Sequence, residues 1–111
     1  MTETTFTVTG TDHGLETNES TVTFGDQITV EGTIVGSDGG KTAALSAVVI
    51  DDAGTLTVTI ETVPDENASP FVTQALLGIQ YRIEIQTDRQ AERVRIEHSG
   101  VDEWTATYTQ A

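Results

Sequence analysis

The chain has 111 residues, with 18 acidic side chains against 5 basic ones, a formal net charge of −13 and no cysteine. That length is one domain, with enough chain to bury a core without staples. The absent cysteine excludes disulfides, thiolate catalysis and thiolate zinc sites, and the charge disfavours nucleic acid and anionic membranes as partners.

The N-terminal stretch MTETTFTVTG lacks both the basic and the apolar segments of a secretory leader, so a cytoplasmic protein, or a domain cut from a larger one, is expected. No apolar run approaches the roughly 20 residues of a membrane-spanning helix. Almost every apolar stretch instead alternates with a period of two, the mark of half-buried strands. TFTVT points Phe6 and Val8 inward, and TVTF does the same with Val22 and Phe24 before a kink at Gly25-Asp26. ITVEGTIV follows with Ile28, Val30 and Ile34. AALSAVVI and TLTVTIET flank a turn at Asp51 to Gly54; YRIEI and RVRIEH flank another, and EWTATYT ends the chain. Threonine is the commonest residue and takes the outward positions, where it suits a pleated surface and hinders a helix. TQALLG (Thr73 to Gly78) is the one candidate for a helical turn. Gly10 to Ser20 and Val63 to Pro70 read as loops.

The pattern also suggests registers. Across the Asp51 turn, inward Leu56, Val58 and Ile60 pair with Val49, Ala47 and Leu45. In the next expected hairpin Ile85 pairs with Val94, Ile83 with Ile96 and Tyr81 with His98. That places Glu84 against Arg95 and Arg82 against Glu97, pairs worth ~0.2–1 kcal/mol each. About seven strands with frequent turns predict a single antiparallel β-sandwich over residues 1–111, immunoglobulin-like in plan, although the antibody Cys–Trp–Cys pattern is missing.

GSDGGKT (Gly36 to Thr42) ends like a phosphate-binding loop, yet Val35 stands where such a loop needs its first glycine, and the residues that follow pair as a strand. It is read as a glycine-rich turn. His13 sits in an acidic loop with Asp12, Glu16 and Glu19, and no second ligand type converges on it. GSDGG, DDAG and PDEN supply carboxylates on turns but lack the alternating ligand spacing of a calcium loop. No Gly-x-Ser-x-Gly elbow occurs, and the abundance of acids singles out no catalytic pair. Asn18-Glu19-Ser20 and Asn67-Ala68-Ser69 fit the glycosylation sequon and are read as chance. Trp104 and Tyr108 share a strand face with Ala106, in the core by default or on a partner surface otherwise. No catalytic residue, metal ligand or cofactor is assigned.

With Lys41 the only lysine and Asp, Glu and Thr filling the polar positions, the composition is that of a halophilic protein, whose self-repulsion molar salt screens. The segment GGKTAALSAVVIDDAGTLTVTIETVPDENASPFVTQALLGIQYRIEI (Gly39 to Ile85) resembles the PrcB C-terminal domain family, small β-domains of bacterial secreted or envelope-associated proteins. The matching points are Gly39-Gly40 opening a strand, GTLTVTIE (Gly54 to Glu61), VTQAL (Val72 to Leu76) and the tyrosine that follows, Tyr81. Similar segments occur in haloarchaeal proteins of unknown function. Where many relatives carry a cysteine before Thr-Gln-Ala, this chain has Phe71. The resemblance implies a β-domain of undefined biochemical role, with protein binding as an accessory to a protease or envelope system as the role it suggests.

The sequence therefore predicts an archaeal, halophilic, non-enzymatic binding domain, monomeric, with a protein partner. His13, Glu16, Asp65, Glu66, Asn67 and Trp104 are the candidate contacts. The competing expectation is a small-molecule-binding or hydrolytic domain with a pocket near His98, Tyr81 and Trp104. It calls for a concave pocket and a strongly shifted histidine, and the binding module for neither.

Overall fold

A computed structural model describes residues 3–15, 17–66, 75–87, 91–101 and 103–110. Among these residues the chain is all β, with eight strands: β1 (Glu3–Asp12), β2 (Glu19–Thr23), β3 (Ile28–Gly36), β4 (Lys41–Ile50), β5 (Thr55–Pro64), β6 (Leu77–Gln86), β7 (Arg93–Ser99) and β8 (Glu103–Thr109). Strands β1, β2 and β5 run further than expected, so Gly10 to Asp12, Glu19 and Ser20, and Val63 to Pro64 are strand rather than loop. The expected helical turn is also corrected: Leu77 and Gly78 open β6, while Thr73 and Gln74 lie outside the described residues.

The strands form two four-stranded sheets, β1-β6-β3-β2 and β4-β5-β7-β8. Alternation places Val30, Ile34, Ile79, Tyr81, Ile83 and Ile85 of the first sheet in one core with Leu56, Val58, Ile60, Val94 and Ile96 of the second. Phe6, Val22 and Phe24 pack against that core half-buried, whereas Val8 on edge strand β1 is 37% exposed, not inward as expected.

Two pairing expectations are corrected. β6 and β7 are not a hairpin: β6 pairs with β1 and β3, and β7 with β5 and β8. Their apolar residues face the same core from opposite sheets, which produces the same sequence alternation as a hairpin would. Arg82 accordingly meets Glu31 and Glu84 at 3.3 and 3.2 Å, and Arg95 meets Glu97 on its own strand at 3.4 Å. β5 and β7 run parallel, so the fold is not purely antiparallel.

The β4–β5 hairpin is where it was expected, but its register differs. Ile50 pairs with Leu56 and Val48 with Val58, and the expected Leu45–Ile60 pair is reached only after a bulge at Ser46. The turn sets this offset. Gly54 adopts φ +83° and its N–H reaches the Asp51 carbonyl, while Asp51 Oδ1 accepts from the N–H groups of Ala53 and Thr55 at 2.9 and 3.0 Å. Within the Gly36 to Thr42 stretch a turn lies between strands, as read, but it is confined to Ser37 to Gly40, with Gly36 ending β3 and Lys41 and Thr42 opening β4, and the Gly40 N–H on Asp38 Oδ1 at 2.8 Å holds it. It carries the chain from one sheet to the other.

Candidate functional site

The connections β1–β2, β3–β4, β5–β6 and β7–β8 gather at one end of the fold, since Asp12 pairs beside Gly78, Gly36 beside Leu77, Lys41 beside Pro64 and Ser99 beside Glu103. Three cross-links tie these segments together: Asp65 N–H donates to the Gly40 carbonyl at 2.8 Å, Val101 N–H to the Val35 carbonyl at 3.2 Å, and His13 Nδ1 lies 2.9 Å from the Leu76 carbonyl. Of the six candidate contacts, His13, Asp65, Glu66 and Trp104 are thus brought to one end. Glu16 and Asn67 lie outside the described residues. His13 and Glu66 are exposed, and Asp65 is half-buried. Asp12, Asp38 and Glu103 share this end, which makes it strongly acidic. Among the described residues no group of three or more His, Asp or Glu side chains is placed to hold a metal ion.

Below this end lies a polar cluster that the sequence only half revealed. His98 on β7 is 2% exposed, deeper than the position at a strand end suggests. Its Nε2 is 2.7 Å from the Tyr81 hydroxyl on β6 and its Nδ1 is 3.1 Å from Asn18 Oδ1. Asn18 Oδ1 also accepts the Val35 N–H at 3.3 Å, so it serves as acceptor throughout. The consistent assignment is a neutral imidazole that donates from Nδ1 and accepts the Tyr81 proton at Nε2. Burial lowers the His98 pKa to about 4 and, with the nearby Tyr108 phenol adding to it, holds the Tyr81 hydroxyl protonated well above the usual phenol range.

Aromatic rings enclose this bridge. Tyr81 meets His98 edge-on at 5.5 Å and stacks with Phe6 at 6.0 Å, and Trp104 covers His98 at 4.6 Å. Gly32, paired with Tyr81, makes room: a Cβ there would lie 2.6 Å from the Tyr81 hydroxyl and 2.5 Å from the Glu19 carbonyl. A second fastening joins the sheet edges, where the Tyr108 hydroxyl on β8 donates to the Ser20 carbonyl on β2 and lies 2.6 Å from Ser20 Oγ. Asn18 and Ser20 had drawn notice only as part of a sequon. Nothing in their spacing signals a contact 80 or more residues away in sequence.

A depression of about 200 Å³, lined by Thr59, Glu97, His98, Ser99, Glu103, Trp104 and Thr105, opens beside the ring of His98. Both features expected of a small-molecule site are therefore present, a concavity and a shifted histidine. The shift, however, comes from burial, and both ring nitrogens are directed to Asn18 and Tyr81. No family model, no curated protein and no solved structure matches this chain.

Proposed function

We propose that this chain is an immunoglobulin-like β-sandwich, adapted to high salt, that acts without catalysis by binding a protein partner. The parallel β5–β7 pair is its departure from a purely antiparallel plan. The observation that carries the reading is the arrangement of connections. Four segments from both sheets converge at one acidic end, tied by the His13–Leu76, Asp65–Gly40 and Val101–Val35 contacts. Such loop clusters on a rigid scaffold are usual recognition sites, and their charge suits a partner with a cationic surface. The polar cluster beneath fits a fastening between sheets: its hydrogen bonds are made internally, and it offers no free base.

The test is site-specific photocrosslinking in a high-salt extract. A crosslinker at position 13 or 66 is expected to capture one recurrent protein that the same group at Asp26, at the opposite end, does not. Equal capture from both ends, or none from either, would overturn the reading.

The depression beside His98 and Trp104 favours a second reading, a small-molecule site. It predicts that a ligand perturbs the Trp104 fluorescence and the His98 ring resonances together. The protein-binding reading predicts that a library of small polar ligands leaves both unchanged.

A further inference from the structure

Edge strands expose unpaired backbone groups, and proteins commonly blunt them with charge. β4 is an edge strand whose residues Thr42 to Ile50 carry no charge in a chain of net charge −13. Its ends are of opposite sign: Lys41, the only lysine, opens it, and Asp51-Asp52 follow it. The other edges lack this polarity. β1 runs from Glu3 to Asp12, acid to acid; β8 opens on Glu103 with no base at its far end; and β2 is short, with the Tyr108 hydroxyl on its Ser20 carbonyl. We propose that β4 is a self-association edge, pairing antiparallel with β4 of a second copy to continue the β4-β5-β7-β8 sheet across a two-fold axis between Ser46 and Ala47.

Charge selects one register, and the strand geometry, read from side-chain face and again from hydrogen-bond phase, is compatible with it. With the axis there, Lys41 of each copy stands opposite Asp52 of the other, beside Asp51. The face of each side chain is compatible. The bulge at Ser46 shifts the alternation, so that Ala43 and Leu45 face the core in the first half of β4 and Val48 and Ile50 in the second. The proposed register opposes Ala43 to Ile50 and Leu45 to Val48, core side to core side, and sets outward Ala44 against outward Val49. Val49, at 59%, is the most exposed of the large apolar side chains described.

Hydrogen-bond phase is compatible as well. Asp65 N–H bonds the Gly40 carbonyl, so Gly40, Thr42 and Ala44 turn their backbone groups toward β5, and Lys41, Ala43 and Leu45 turn theirs outward. Asp51 N–H bonds the Thr55 carbonyl, so Val49 and Ala47 face β5, and Ile50 and Val48 face outward. The outward residues of one half are the ones set opposite the outward residues of the other. A bulge that ordinarily blunts an edge here brings its two halves into mutual phase. On this proposal the monomer expected from the sequence gives way to a symmetric dimer, favoured by salt that screens the repulsion between two acidic copies.

The absence of cysteine makes the test clean. Ala44→Cys and Val49→Cys single variants are mixed under mild oxidation in about 3 M KCl, where screening reaches less than about 3 Å. Across the interface positions 44 and 49 form a non-hydrogen-bonded pair about 4.5 Å apart at Cα, within disulfide range. In either variant alone the like cysteines lie five residues out of register, roughly 16 Å apart. The expected result is a disulfide-linked dimer in the mixture, at least about tenfold above either variant alone. Sedimentation of the unmodified chain in the same salt, which needs no variant, is expected to show a dimer. A monomer at every concentration, or cross-linking no greater in the mixture than in the single variants, overturns the proposal.

Discussion

The Tyr81 hydroxyl and His98 Nε2, 2.7 Å apart, join two strands that belong to different sheets. The contact pins one sheet to the other through the core, and Asn18 completes it from the β1–β2 connection. Its energetics follow from burial. Tyr81→Phe removes the donor and leaves Nε2 without a partner in an apolar setting, at a cost of about 1–3 kcal/mol. Urea or guanidinium unfolding at fixed high salt measures it. Tyr81→Phe combined with His98→Phe is expected to cost less than the two single changes summed, since it leaves no orphaned polar atom.

Acid should weaken the fold through the same histidine. Its folded pKa, lowered to about 4 by burial, lies below the unfolded value near 6.5. Between those values the unfolded chain binds the proton and the folded one does not. The stability is therefore fully present above about pH 6.5 and falls as pH drops toward 4, with a limiting slope of about 1.4 kcal/mol per pH unit. Melting temperatures taken from pH 7.5 to 5 in 3 M KCl should fall for the natural chain, and less steeply for His98→Gln. Equal slopes in the two proteins would remove His98 as the cause.

Gly32 is where a single methyl should do the most damage to this bridge. A Cβ there would sit 2.6 Å from the Tyr81 hydroxyl and 2.5 Å from the Glu19 carbonyl, and the carbonyl is backbone that cannot swing away. Gly32→Ala is expected to cost about 1–3 kcal/mol and to displace the Tyr81 ring. The displacement would be read as a change in the His98 ring resonances in the folded protein. A variant with natural stability and unchanged resonances would mean that the strands separate freely at this point.

The sequence revealed strands more readily than their partners. A period of two reports which face a residue takes, so Ile83, Ile85, Val94 and Ile96 were legible as core. It does not report which sheet holds a strand. Two strands facing each other across a core alternate just as two hairpin neighbours do, and the apparent Glu84–Arg95 and Arg82–Glu97 pairs came from that coincidence. The same ambiguity made Tyr81 and His98 look like cross-strand neighbours when they meet across the core. The Asp51 turn was legible because its residue types fix its geometry, whereas the Ser46 bulge had no local signal: any alternating run of small and β-branched residues looks unbroken. Asn18 was not legible either, since a loop asparagine finds a distant histidine only after both sheets have formed.

Salt dependence is the broadest expectation and the one to measure first. With 18 acids and 5 bases the folded chain concentrates negative charge, and its described ion pairs, Arg82 with Glu31 and Glu84 and Arg95 with Glu97, are at the surface, where each adds little. Raising KCl from about 0.1 M to 3 M shortens the screening length from about 10 Å to under 3 Å. Repulsion among like charges then fades, and burial of the apolar core is left to dominate. A dispersed β-type amide spectrum that appears only toward high salt, with NaCl acting like KCl, is the expected outcome. If the spectrum is already dispersed at 0.1 M, the core outweighs the repulsion unaided and the halophilic reading falls. The acidic end of the fold would then need a basic partner to account for it.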